Sequence, residues 1–392
     1  MKKLYQSIKK LTLACLFFST SINAQTWQNV GVSGDISAST SSWNNLAIDA
    51  SGNYYVSYYD LSVSKGSVQK FDGTSWSYLG GAAGITTGSA TYNSLSLDNL
   101  GNPYYTNQDG YPNSGMEVRK FEGGVWNSIS KPFTNTINYQ ASAVSPSNVL
   151  FVYSSENTGT VKRYNSGTWE QVGTSSIAGA TPTYTEMVIG TDNKVYVCHY
   201  ASGVKVYSNN ITATSSDSWT LVGGGTVGSG FTETTHATSD IAIDANNNIY
   251  VAYSSNAANN RRLNVKKFNG TSWEQVGDAN FGISNDLYDV SIAVSPNGEA
   301  YVVASGWAVN SGRNTVYKLN QSTNTWETFG GDFISTSTAT YNDLAYDVLN
   351  DFLVLTYTEG GTKVKRIETQ FPIFNAFCTC ASLASSLEIL TN

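Results

Sequence analysis

Seven tryptophans, at positions 27, 76, 126, 169, 219, 273 and 326, divide most of the chain into units of 43 to 54 residues. Six of them open the phrase W-x-x-[apolar]-G: Trp27 to Gly31, Trp76 to Gly80, Trp169 to Gly173, Trp219 to Gly223, Trp273 to Gly277 and Trp326 to Gly330. The exception, Trp126-Asn127-Ser128-Ile129-Ser130, keeps the apolar residue and loses the glycine. A unit of this size cannot bury its own apolar face and must stack on its neighbours, so a period near 50 residues means a propeller or an array. The repeat also explains a length of 392 residues that would otherwise suggest two or three separate domains.

Within each unit the apolar residues alternate with a step of two, which is strand periodicity. In the first unit, residues 46–49, 54–59, 67–71 and 74–79 read as four strands. They are separated by turn chemistry at Ala50-Ser51-Gly52-Asn53 and by Asp72-Gly73. The last unit starts at Leu344 and supplies only three strands, through Lys363 to Ile367, while Trp27 to Gly31 stands alone at the other end of the sequence. Pairing the two closes a ring and hides its edges. The sequence therefore predicts an all-β fold: a seven-bladed β-propeller with four antiparallel strands per blade, closed by the N-terminal strand. Ala47, Ser96, Ala143, Val188, Ala242, Ala293 and Ala345 recur in the first strand of each unit, and small side chains belong near the axis. The first strand is thus expected innermost and the tryptophan strand outermost. The long connections are expected on one face, with only tight turns on the other.

Residues 1–24 have the layout of an export signal, with Lys2, Lys3, Lys9 and Lys10 before an apolar stretch and Ile22-Asn23-Ala24 at the cleavage position. The propeller is then expected over 25–370, with a short tail over 371–392. Without the four leader lysines, 18 basic residues face 29 acidic ones, a net charge of −11. That balance argues against nucleic acid or anionic lipid as a partner. Cys198, Cys378 and Cys380 form no disulfide framework, so an exported chain must rely on its core. The expected location is secreted or cell-surface, without a membrane span and as a monomer.

The phrase F-[DN]-G-T-S-W at Phe71 to Trp76 and Phe268 to Trp273, with D-x-x-G-N at Asp49 to Asn53, resembles secreted bacterial propellers of the kelch or NHL kind. The resemblance implies the fold and says almost nothing about activity. Exported surface propellers of that kind often carry a long sorting domain for type IX secretion; only Glu368 to Asn392 follows the last blade here.

Most of the residues that suggest chemistry have a simpler structural role. The repeated tryptophans are expected to pack blade against blade. Asp244-Ala245-Asn246-Asn247-Asn248 resembles the start of a calcium loop but lacks its glycine and distal glutamate, and reads as a hairpin turn. Sparse arginines and short turns argue against a sialidase. Two histidines, His199 and His236, cannot build a three-histidine metal site. Cys198 and His199 point to opposite sides of a strand, and carboxylate pairs such as Glu186 with Asp240 or Asp289 with Asp343 lie at neighbouring inner-strand entrances. No catalytic group, metal or cofactor is assigned.

The position three residues before the first apolar residue of each inner strand is aromatic in five units: Trp43, Tyr92, Tyr139, Tyr184 and Tyr341. Thr238 and Asp289 replace it in the other two, and Asn44, Asn93, Gln140 and Asn342 are adjacent. At a channel mouth this set offers flat apolar faces interleaved with amides, which is what a sugar requires. Recognition of an extracellular glycan is the expected function. A polysaccharide-degrading hydrolase or lyase and a surface adhesin for protein partners are the alternatives.

Overall fold

The computed structural model describes residues 25–110, 114–230, 237–282, 287–306 and 310–370. The expected leader, the C-terminal tail with Cys378 and Cys380, and His236 lie outside the described residues. Within them the chain forms seven four-stranded antiparallel sheets. Blades 1 to 6 occupy 41–78, 90–129, 140–172, 183–221, 239–275 and 287–328. Blade 7 takes three strands from 340–368 and its fourth from Gln28–Asn29, whose partners are Arg366 and Lys365. In every sheet the first strand of the unit is at one edge and the tryptophan strand at the other. Each first strand lies against the first strands of both neighbouring blades, so these seven strands surround the axis as expected.

The hydrophobic core is seven cores, one in each cleft between adjacent blades. In the cleft that closes the ring, Val30, Val354 and Val364 of blade 7 meet Leu46, Val56, Tyr58 and Phe71 of blade 1. The repeated motif is explained here. Each indole N–H reaches across a cleft to the outer strand of the preceding blade: Trp27 to Phe329 O (3.0 Å), Trp76 to Val30 O (2.8 Å), Trp126 to Leu79 O (2.7 Å), Trp273 to Val222 O (3.0 Å) and Trp326 to Val276 O (3.0 Å). In those five cases the acceptor is the apolar residue just before the motif glycine. That glycine turns the chain at positive φ, and a Cβ there would strike the next blade's tryptophan, at 2.5 Å from Trp326 Nε1 for Gly277. Trp169 donates instead to Ser130 O (2.6 Å), at the one unit without the glycine, and Trp219 to Thr174 O (3.1 Å), one residue past Gly173.

The F-[DN]-G-T-S-W phrase closes the outer hairpin. Phe71 pairs with Trp76 and Phe268 with Trp273 across the turn. Asp72 Oδ1 accepts from the backbone N–H groups of Thr74 and Ser75, and Asn269 Oδ1 does the same for Thr271 and Ser272. Asp244 caps its own turn in the same manner, accepting from Asn246 N, Asn248 N and Asn248 Nδ2.

Two expectations require correction. The inner strands start earlier than the apolar pattern suggests, at Ser41 rather than Leu46 in blade 1, because a bulge interrupts their alternation. The face opposite the mouth also carries more than tight turns. In blade 4 residues 211–219 form a longer loop, whose Ile211 and Ala213 pack into the cleft with blade 3 and whose carbonyls accept from Arg163.

Candidate functional site

In blades 1, 2, 4, 6 and 7 the inner strand has a register shift near its start, at Ser42/Asn45, Thr91/Ser94, Thr183/Glu186, Tyr288/Ser291 and Thr340/Asp343. Inside each bulge one residue is left-handed: Trp43 (φ 58°), Tyr92 (46°), Tyr184 (49°), Asp289 (50°) and Tyr341 (52°). Bulky side chains rarely adopt this conformation, and bulges of this kind re-aim a side chain out of its sheet. Five of the seven blades repeat the device at one height on the axis. A local strain of this sort persists only where the surrounding structure holds it.

The amides hold it. Asn44 Nδ2 donates to Tyr341 O (3.4 Å) and to Thr358 Oγ1 (2.9 Å) of the preceding blade. Asn342 Nδ2 donates to Asp289 O (3.0 Å) and Ser305 Oγ (2.8 Å). Gln140 Nε2 reaches Tyr92 O and Thr106 O, and Asn93 accepts from Asn45 Nδ2 (2.6 Å) and Ser57 Oγ (3.1 Å). These four amides are buried and bridge blade to blade. They anchor the bulged backbone beneath the rings.

The rings themselves form an unbroken crescent across blades 7, 1, 2, 3 and 4. Centroids are separated by 5.0 Å for Tyr341–Trp43, 4.2 Å for Trp43–Tyr92, 4.9 Å for Tyr92–Tyr139 and 5.4 Å for Tyr139–Tyr184. Burial raises the Tyr139 and Tyr341 hydroxyls to about 12, so both stay neutral donors. A cavity of about 140 Å³ opens at this mouth, with all five rings in its wall.

The far wall is acidic. Two residues beyond the ring position in blades 4 to 7 stand Glu186, Asp240, Ser291 and Asp343, and all four line the cavity with Asp289. Ser291 Oγ donates to Asp240 Oδ2 (2.9 Å) and lies 3.4 Å from Asp343 Oδ1. Each aspartate also accepts a backbone N–H of the next blade, Ile292 for Asp240 (2.8 Å) and Leu46 for Asp343 (2.7 Å). Burial pushes Asp240 up to about 6; burial, and then the Asp240 charge, push Asp343 up to about 7. Glu186 is driven well above the usual carboxylate range, by burial first and then by the charges of Asp240 and Asp343. From the sequence Glu186 pairs with Asp240 and Asp289 with Asp343; the structure lines one cavity with all four. The signal was present in the constant spacing of two residues from the ring position in blades 4 to 7.

His199 is away from this mouth, fully buried, with Nδ1 2.9 Å from Tyr153 Oη and burial lowering it to about 3. Cys198 belongs to the cleft between blades 4 and 5. No group of three His, Cys, Asp or Glu side chains among the described residues has a metal-binding arrangement. Among them no helix is long and apolar enough to cross a membrane.

No protein-family model matches the sequence, and no curated protein aligns with it. The fold is shared with solved structures. The GH74 xyloglucanase from Xanthomonas campestris superposes with a TM-score of 0.63 at 15% identity, over 89% of this chain and 54% of that one. The extracellular domain of the putative one component system BT4673 from B. thetaiotaomicron gives 0.55 at 13% identity, over 87% and 40%. YCF48 bound to D1 peptide gives 0.54 at 12% identity, over 90% and 98%. The chain thus spans about half the length of the first and less of the second. At these identities the likeness establishes the propeller fold.

Proposed function

We propose that the protein is a secreted or surface carbohydrate-binding propeller that receives a polysaccharide segment at the mouth of its central channel. The observation that carries this reading is the crescent of five aromatic rings, each projected at the same height on the axis and four of them from a strained, left-handed bulge position. Packing alone does not require that strain, since Tyr139 joins the crescent without it. Aromatic faces suit the C–H sides of sugar rings, and Asn45, Thr185 and Ser291 in the same cavity offer partners for hydroxyl groups. Trp43, Tyr92, Tyr139, Tyr184 and Tyr341 are assigned to ligand contact, and Asn44, Asn93, Gln140 and Asn342 to holding them. The Xanthomonas xyloglucanase illustrates that a related architecture can accommodate a polysaccharide. Export rests on the leader-like residues 1–24, and the kelch or NHL resemblance remains one of repeat pattern.

A second reading, hydrolysis, is favoured by one observation: Asp240 and Asp343 flank a single serine hydroxyl and are shifted toward neutrality, as a general acid must be. A glycan array, followed by reducing-end and unsaturated-product assays on each hit, separates the readings. Binding without new ends supports recognition. Release of shorter sugars supports the hydrolase, and silence across the array from folded protein favours a protein partner.

A further inference from the structure

The opening opposite the mouth is apolar. Where the first turns of blades 5 to 7 meet, Ala242, Ile243, Val294, Leu344, Ala345 and Val348 line a groove of about 360 Å³, against about 140 Å³ at the mouth. Asp244, also in this wall, is spent on its own turn, accepting from Asn246 N, Asn248 N and Asn248 Nδ2. Val348 and its neighbour Leu349 are 63% and 61% exposed, so the apolar surface continues outward over the rim. Scattered exposed aliphatic residues need no explanation, but a contiguous patch around a groove marks an interaction site.

The described chain ends at this groove. Thr369, just past the last strand of blade 7, is buried there: its N–H and its hydroxyl both donate to Asp351 O (2.9 and 2.8 Å), and the hydroxyl is 3.0 Å from Tyr346 Oη. Tyr346 is itself a wall residue of the groove. Gln370 is exposed, and the sequence continues as Phe371-Pro372-Ile373-Phe374-Asn375-Ala376-Phe377 without a charge. Over the whole of 371–392 Glu388 is the one charged side chain. A segment of this composition gains by leaving water, and it begins beside an apolar surface that gains by being covered.

We propose that residues 371–377 fold back beneath the ring and close the opening opposite the mouth, with Phe374 and Phe377 seated against the ends of the inner strands of blades 5 to 7. The tether favours this occupant over a second copy or a separate partner. Seven residues reach at most about 25 Å, enough to cross these three adjoining strands. A segment joined so closely meets the groove at an effective concentration in about the millimolar range. Pro372 reduces the conformational freedom lost on docking. The channel is then open at one end only, so that a ligand of the mouth enters and leaves past the aromatic crescent. This closure does not depend on what the mouth binds.

The test is limited chymotrypsin digestion of the folded full chain, with cleavage after Phe374 and Phe377 followed by mass spectrometry. A free peptide covering 370–380 sets the rate for an undocked segment. The proposal expects both bonds to be cut at least tenfold more slowly in the protein than in the peptide. Ala245→Asp/Val348→Asp puts two charges at exposed turn positions of the groove and should restore most of the peptide rate with the ring still folded. Leu100→Asp, at an 81% exposed position in the corresponding turn of blade 2 and outside the groove, should leave the protection intact. A second measurement leaves the groove untouched: Phe374→Asp/Phe377→Asp should speed backbone hydrogen exchange at 346–349 and not at 98–102. Protein and peptide cut at the same rate overturn the docking without recourse to any variant. Protection that survives in a folded groove variant, or exchange at 346–349 that ignores the tail variant, overturns the groove as its seat. Protection that fades on dilution, together with dimers in sedimentation, assigns the groove to the tail of a second copy and overturns closure within one chain.

Discussion

At the scale of single residues, the repeated glycine and tryptophan are two halves of one contact. Gly277→Ala places a methyl against Trp326 at a backbone angle of +65° and should cost about 1–3 kcal/mol in urea unfolding. Gly34→Ala, at an ordinary angle with nothing within 4 Å, should stay within about 0.5 kcal/mol and serves as the control. Equal effects would show that the glycine–tryptophan contact does not define the motif. The acidic wall makes a second prediction. A carboxyl whose folded value is raised holds its proton more tightly in the folded state, so its destabilising charge is fully present above that value and is relieved as pH falls toward the unfolded value. Between pH 8 and 6.5 stability should therefore rise as pH falls, by about 1 kcal/mol from Asp343 alone and more with Glu186. His199, buried neutral, works in the opposite sense, offsetting part of that gain in the lower half of this window and prevailing below it, because the unfolded chain takes up the proton as pH falls through 6.5. Thermal midpoints across this window check the sign, and Glu186→Gln should raise the midpoint at pH 8. A midpoint that falls steadily from pH 8 to 6.5 would contradict the assignment of the acidic wall.

At the scale of elements, the two-residue strand Gln28–Asn29 does more than its length suggests. It covers the edge of blade 7, while Trp27 and Val30 beside it fill the clefts on both sides. Removing residues 25–31 should expose a strand of eight residues, Gly361–Glu368, and lower the melting midpoint by many degrees with concentration-dependent aggregation. Scattering and calorimetry on the truncated chain decide this; a truncated chain that melts like the parent would contradict closure by this strand. Strand order was legible from small residues at one position and tryptophan at another, because taper and cleft packing leave a direct mark on composition. The bulges were not legible. Trp and Tyr carry no preference for a left-handed backbone, and nothing in the local sequence distinguishes Trp43 in a bulge from Tyr139 outside one. The bulges at Tyr92, Asp289 and Tyr341 are held by amides from the adjacent blade, contacts between residues about 50 or, across the closure, 297 positions apart.

At the scale of the whole molecule, sevenfold repetition builds the scaffold and departures from it build the site. The ring positions at the mouth were visible as a repeated aromatic, and so were their replacements Thr238 and Asp289. What the repeat concealed was that the exceptions adjoin: blades 4 to 7 lie on one side of the axis, so carboxyls drawn from separate units face one cavity. The central claim is that this mouth, and not the opposite opening lined by Ala242, Ala293, Ala345 and Val348, is where a glycan binds. The direct measurement is the affinity for a binding glycan of Tyr92→Ala/Tyr341→Ala beside that of Val348→Ala, each with its melting curve. Loss of two aromatic contacts at about 1 kcal/mol each predicts affinity reduced tenfold or more in the first protein, with the second unchanged. A folded double variant that binds as the parent does would contradict the account.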